Sequence, residues 1–279
     1  MTRVVRVAPS LTGAALLLIV LALTVEGHYL QIEWRTSTAV PVAWWYAAEV
    51  AGVPAVPLFL AAVGLGLGGI ADRTLADVLR TRVAPNLAWY ALSVSATLVV
   101  LWRFGPVYGL PPARDPRELL LLLLFPPTAL ALTYALALFP LLAWTIRGLP
   151  GPLVVAAAVT LAVVAGVAAA RDPAWATVAE LTRNLVFFLV GWRLAAATPA
   201  PPVTGALAAV GRAAAPIAAL GLPVTAAAGG ILVRRLSVVD GPLQIVVAVV
   251  EPVLVVILVV VTGLIGHRLH QLVPRPVTR

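Results

Sequence analysis

The sequence contains no cysteine and no lysine, and only 11% of its 279 residues are charged. The absence of cysteine leaves the redox compartment open. The absence of lysine, together with abundant Ala, Pro and Gly, fits a high-GC coding bias. The scarcity of charge excludes an ordinary soluble domain, because 62% of the residues are hydrophobic and the mean hydropathy is +1.04. The composition therefore predicts a polytopic membrane protein.

Signatures of soluble enzymes are also missing, since the chain has no Walker loop, no His-Glu-x-x-His motif, no nucleophile elbow and no dinucleotide-binding turn. The formal net charge of +8 does not indicate nucleic acid, because single arginines stand at the edges of apolar runs and form no basic stripe. These arginines mark membrane topology. Membrane lipids are therefore the expected partners, and nucleic acid is not.

Long apolar runs dominate the chain, and each is near the length of about 20 residues that a spanning helix needs. They predict an all-α, polytopic transmembrane helix bundle of about eight spanning helices, forming a single integral-membrane domain over residues 1–279. The first run is interpreted as an uncleaved helix, and the seventh as one kinked helix or two short ones. The predicted spans are residues 11–25, 53–70, 86–102, 119–146, 152–170, 175–198, 205–233 and 242–266.

The distribution of arginines gives an orientation for these spans. Eight spans place both termini on one side, and a slight excess of arginine on that side predicts cytoplasmic termini. The acidic residues outside the runs fall mostly on the opposite side. The sequence thus predicts an integral protein of the bacterial plasma membrane with both ends in the cytoplasm.

Polar side chains inside the apolar runs are costly and are candidates for function. Within the sixth predicted span, Glu180 and Arg183 are three residues apart and share a helix face, so they can form a structural pair. Glu251 lies deep in the last span beside Pro252, where a carboxylate must be protonated, paired or in contact with water. Glu251 either serves a function or makes a structural contact between helices.

The end of the first span carries the candidate catalytic residues. An imidazole titrates near neutrality and a neighbouring carboxylate can orient it, so His28 with Glu26 is a candidate general base. The alternative is a polar cluster at the membrane interface. His267 and His270 belong to the basic C-terminal tail, and two histidines alone do not predict a metal site.

Five segments, in order, resemble the integral-membrane acyltransferase family 3. The resemblance covers most of the chain from Val53 to Leu220. It lies in the residue patterns of the helices and in the order of the segments. The segments are VPAVPLFLAAVGLGLGG (residues 53–69), LRTRVAPNLAWYAL (79–92), LTYALALFPLLAWTIRGLP (132–150), RNLVFFLVGWRLA (183–195) and AAVGRAAAPIAAL (208–220).

The resemblance implies an enzyme that moves an acyl group from a cytoplasmic thioester to a carbohydrate or lipid hydroxyl of the cell envelope, without a bound cofactor. His28 would be the base, and Arg183, Arg193 and Arg212 would hold the donor's phosphates. The family's first-helix motif, Arg-x10-His, is not intact here, because Leu17 stands where the arginine belongs.

Two alternatives therefore stay open. The first is a catalytically silent relative that binds lipid or serves as an assembly subunit, with the small residues of the seventh span contacting a partner membrane protein. The second is a small transporter that uses Glu251.

Overall fold

A computed structural model describes residues 4–34, 39–104, 128–195, 205–236 and 241–272. The described ranges are helical and contain no strand, as expected where backbone groups must be satisfied without water. Their eight long helices are α1 (Val4–Gly27), α2 (Ala39–Leu65), α3 (Ala84–Phe104), α4 (Thr128–Thr145), α5 (Gly151–Arg171), α6 (Ala176–Ala195), α7 (Ala214–Leu236) and α8 (Pro242–Leu272).

Shorter helical elements connect or extend these helices. A helical turn (Leu75–Val78) and a π-helical turn (Leu79–Val83) run directly into α3. A short helix (Ala206–Arg212) precedes α7, and single 3₁₀ turns cover Tyr29–Gln31, Ile70–Asp72 and Pro173–Trp175.

Within the described ranges, six helices are long and apolar enough to cross a membrane. They are the helices built around α1, α2, α3, α5, α7 and α8. The all-helical membrane architecture is therefore confirmed. Helix α4 has a shorter apolar stretch, Leu130–Thr145, and α6 carries Glu180, Arg183 and Arg193.

Two helix boundaries differ from the sequence prediction. Helix α2 begins at Ala39, well before the predicted start at residue 53, so the aromatic residues Trp44, Trp45 and Tyr46 belong to the helix. Helix α8 continues to Leu272, so His267 and His270 lie on a helix and not in a tail. In both places the helical hydrogen bonding continues past the most apolar stretch. Residues 119–127 and 196–198 of the predicted spans lie outside the described ranges.

The seventh predicted span is divided in two. The short helix ends at Arg212, Ala213 has φ −92° and ψ 19°, and α7 starts at Ala214. Pro216 explains the division, because it has no N–H to donate to the carbonyl of Arg212. Pro223, in contrast, lies inside α7.

The helix ends form two groups, which define two ends of the bundle. At the first end, the Trp144 Nε1–H donates to the Arg73 carbonyl at 2.8 Å. Arg193 at the end of α6 donates to the Leu149 carbonyl, also at 2.8 Å. At the second end, the Gln244 side-chain amide donates to the Glu33 carbonyl at 3.2 Å. The start of α1 lies at the first end, and the last turn of α1 at the second.

Glycines allow the helices of the bundle to cross closely. A Cβ on Gly64 of α2 would overlap the backbone of Phe188, and one on Gly191 of α6 would overlap the backbone of Ala61. Gly211 of the short helix lies against Pro9 of α1 in the same way. These small residues are therefore used for packing within the chain, and Gly211 does not face outward toward a partner protein.

We expect Gly191→Ala to destabilise the protein by about 1–3 kcal/mol or more, because the added methyl group overlaps the α2 backbone, which cannot rotate away. Gly166→Ala in α5 is the matched control, since a Cβ there has nothing within 4 Å and alanine favours the helix. Unfolding by SDS in mixed micelles measures both. Equal stability of the two variants would contradict the close crossing.

Candidate functional site

His28 lies directly after α1 and begins the 3₁₀ turn Tyr29–Gln31. Its side chain is only 1% exposed, so it is not part of a solvated polar cluster at the interface. Gly229 of α7 provides the space for the ring, because a Cβ at that position would lie 2.5 Å from the His28 Cβ and 2.9 Å from its Cγ. The imidazole is therefore enclosed by α7 as well as α1.

Glu251 of α8 is the carboxylate in contact with His28. The His28 Nε2 and Glu251 Oε1 atoms are 2.5 Å apart, and the Glu251 side chain is 4% exposed. Glu26 does not take the place that its nearness in sequence suggested, since its side chain is exposed. The contact joins residues 223 positions apart. The attraction between the two side chains offsets the free-energy cost of burying either of them alone.

Neighbouring side chains fix the two helices that carry the pair. Tyr29, next to His28, is buried, and its hydroxyl donates to the Ala248 carbonyl of α8 at 2.8 Å. The Trp34 indole N–H donates to the Tyr29 carbonyl at 3.0 Å. With the contact between Gln244 and Glu33, these bonds tie the end of α1 to the first turns of α8.

The pair keeps two polar atoms without protein partners. The His28 Nδ1 and the Glu251 Oε2 are buried and make no hydrogen bond to any residue in the described ranges. A carboxylate that holds one imidazole nitrogen leaves the other nitrogen for proton transfer, and it stabilises the imidazolium that forms. The arrangement can therefore accept and return a proton.

The three predicted donor arginines are in different surroundings. Arg193 is already engaged, because its guanidinium donates to the Leu149 and Ile146 carbonyls and stacks 4.3 Å from the Trp192 ring. Arg183 is exposed and lines an open groove of about 630 Å³ between α5 and α6, together with Glu180. The structure thus brings Glu180 and Arg183 to one groove, away from the His28–Glu251 pair.

Arg212 lines a separate cavity, at the first end of the bundle. This cavity has about 380 Å³ and is also lined by Arg82 and Asn86. Arg82 and Asn86 could not be identified as binding residues from the sequence, because Arg82 resembles a topology signal. The α1 axis from Pro9, beside this cavity, to Gly27 is about 27 Å long at 1.5 Å per residue. Arg212 and His28 therefore lie at opposite ends of the bundle.

Gly229, Tyr29 and Gln244 are further residues of the site that the sequence did not reveal. Gly229 lies in a run of small residues, where packing glycines cannot be distinguished from compositional ones. Among the described residues there is no group of three His, Cys, Asp or Glu side chains that could hold a metal ion. The candidate site is thus the His28–Glu251 pair with its supporting contacts.

Comparison with known proteins gives no relative from which a role could be transferred. No family model, no curated protein and no solved structure matches this chain. The function is therefore argued from the chain's own geometry.

Proposed function

We propose that this chain is a membrane acyltransferase of the acyltransferase-3 type, in which the His28–Glu251 pair is the general base. The observation that carries the proposal is the buried contact of 2.5 Å between the His28 Nε2 and Glu251 Oε1 atoms. A buried imidazole held by a carboxylate is suited to removing a proton from a hydroxyl. An ionisable pair inside a membrane bundle is also a marker of function, because the bilayer otherwise excludes such groups.

In the proposed reaction, the hydroxyl of an acceptor gives its proton to the pair. The acceptor oxygen attacks the carbonyl carbon of an acyl thioester, so that an ester C–O bond forms and the C–S bond breaks. The proton then passes to the departing thiolate, and the pair returns to its starting state. Glu251 stabilises the imidazolium that exists between the two proton transfers.

For the donor, we propose the cavity with Arg82 and Arg212 as the site of the anionic part. Two guanidinium groups can bind phosphate oxygens by charge-assisted hydrogen bonds. Arg193 contributes less to this role than the sequence suggested, because its guanidinium already donates to main-chain carbonyls. The thioester arm would extend along α1 toward His28.

The alternative of a silent relative that binds lipid or assembles with a partner subunit is supported by the separation of these two places. His28 is not among the lining residues of the groove with Arg183 or of the cavity with Arg82 and Arg212. A small transporter is the other alternative, with the His28–Glu251 pair carrying a proton across the membrane.

The direct test uses the purified full-length chain in lipid nanodiscs. It is mixed with acetyl- or palmitoyl-coenzyme A and a panel of sugar and lipid alcohols, and esters are identified by mass spectrometry. Ester formation that depends on His28 supports the proposal. Absence of transfer with every donor, together with a cellular role that tolerates loss of His28, would establish the silent alternative.

For topology, we propose that all eight long helices cross the bacterial plasma membrane with both termini cytoplasmic. The grouping of helix ends supports alternation, because the α2–α3 and α4–α5 connections meet at one end of the bundle through Trp144 and Arg73. A reporter fused within the Arg73–Arg82 connection should therefore behave as cytoplasmic, with alkaline phosphatase inactive and green fluorescent protein bright. Active phosphatase at that position would contradict this orientation.

A further inference from the structure

A second groove runs between α7 and α8, and Glu251 of the His28–Glu251 pair is one of its lining residues. It has a volume of about 480 Å³, within the usual range of small-molecule sites. Of the eleven residues that line it, ten are alanine, valine, leucine or isoleucine, and the remaining one is Glu251. The groove is therefore an apolar channel with a single polar residue.

The rim of this groove belongs to the outer surface of the bundle. Ile231, Val246 and Leu254 line the groove and are exposed large hydrophobic residues. In a membrane bundle, exposed aliphatic side chains of this kind face the lipid chains. A ligand can therefore enter sideways from the bilayer.

The length of the groove corresponds to one lipid chain. Its α8 wall runs from Val246 to Leu258, which is about 18 Å along a helix axis. Half of a bilayer's hydrocarbon core is about 15 Å. A single aliphatic chain of membrane length can therefore lie along the groove.

Glu251, the polar residue of the groove, determines which kind of ligand can bind there. Glu251 uses its Oε1 for His28, and its buried Oε2 has no hydrogen-bond partner among the described residues. A carboxylate oxygen accepts hydrogen bonds, so it favours a ligand that donates one from an O–H or N–H group. It also repels another carboxylate or a phosphate, and none of the described residues that line the groove is a cation.

We infer that the α7–α8 groove binds a neutral long-chain alcohol from the bilayer, with its hydroxyl on the Glu251 Oε2 and its aliphatic chain along the groove. The inference rests on the proposed function in one respect, because it makes this alcohol the acceptor of the acyl group. The hydroxyl then lies on the carboxylate of the His28–Glu251 pair, which takes its proton. The product is a neutral ester that leaves into the membrane by the same route.

The test is photolabelling of the full-length chain in phosphatidylcholine nanodiscs. The probe is 1-hexadecanol with a diazirine in mid-chain, and hexadecanoic acid with the same diazirine is its matched comparison. We expect the alcohol to label peptides of α7 and α8 at least about tenfold more than the acid, because a hydrogen bond to a charged acceptor is gained in one case and repulsion in the other. Equal labelling by the two probes would overturn the inference.

Groove variants distinguish labelling in the groove from nonspecific labelling of the lipid-facing surface. Ala228→Phe and Ile231→Trp both fill the groove, and the second alters a side chain on the outer surface, where it leaves folding intact. Each should reduce labelling of α7 and α8 by about tenfold. Gly166→Leu, in the groove between α5 and α6, is the control and should leave it unchanged. Unchanged labelling in Ile231→Trp would refute the groove as the binding place.

Glu251→Gln tests the chemistry, because it removes the negative charge and nearly preserves side-chain volume. The ratio of alcohol to acid labelling should fall toward one. A ratio that stays at its original value would show that Glu251 does not select the ligand. Labelling needs no acyl donor, so labelling without transfer contradicts only the proposed enzyme, and transfer without labelling contradicts only the groove.

Discussion

Replacing His28 by glutamine is expected to lower acyl transfer by about 10²–10⁴-fold, the usual contribution of a positioned general base. Glutamine is polar and of similar size, so it fills the space beside Gly229 but cannot carry the proton. The rate of ester formation under single-turnover conditions measures the loss. Single-turnover rates report the chemical step and exclude product release.

Glu26→Gln is the matched control for this experiment. Glu26 is two residues from His28 in sequence, but its side chain is exposed. We expect this variant to keep transfer within about twofold of the original chain. A loss as large as that of His28→Gln would show that Glu26 acts in the reaction, and retained activity in His28→Gln would remove His28 as the base.

Replacing His28 by alanine is expected to reduce the free energy of unfolding by about 3–5 kcal/mol, because it leaves the Glu251 carboxylate buried without its partner. The double variant His28→Ala with Glu251→Ala should lose less than the sum of the two single losses, since no unpaired charge remains. The expected coupling is about 0.5–3 kcal/mol. SDS titration in mixed micelles measures all three variants.

This expectation differs from what the interfacial polar cluster, left open for His28 by the sequence, would imply. A histidine at an interfacial helix end tolerates substitution, whereas the structure encloses His28 between α1, α7 and α8. Glu26→Ala is again the control, with an expected change within about 0.5 kcal/mol. Additive losses in the double variant would show that the two side chains do not stabilise each other.

The helices could be predicted from the sequence because membrane insertion requires long apolar runs, and such runs are visible without tertiary information. The positions of the helix ends could not be predicted in this way. The aromatic residues before residue 53 continue α2, and the break at Ala213 depends on which carbonyl Pro216 leaves without a donor. Helix α6 carries Glu180, Arg183 and Arg193 because a helix packed between α2 and α5 needs less apolar surface than a lipid-facing one.

The functional site, like the fold, could be predicted from the sequence only in part. His28 and Glu251 could be identified one by one, since each polar group at membrane depth requires an explanation. Their contact could not be predicted, because it depends on how α1, α7 and α8 pack. The same holds for Gly229, whose importance comes only from the ring that lies against it. Nearness in sequence favoured Glu26, and packing placed Glu251 there instead.

The separation of 223 residues between His28 and Glu251 also has a consequence for biosynthesis. At 5–20 residues per second, a ribosome reaches Glu251 roughly 10–45 s after His28. During that interval the imidazole has no carboxylate, and the groove is incomplete because α7 and α8 are the last two of the described helices to be synthesised. If the chain is the proposed acyltransferase, proton transfer at this site begins only after α8 has been synthesised and inserted, so partly made chains would not modify the membrane in which they are assembling.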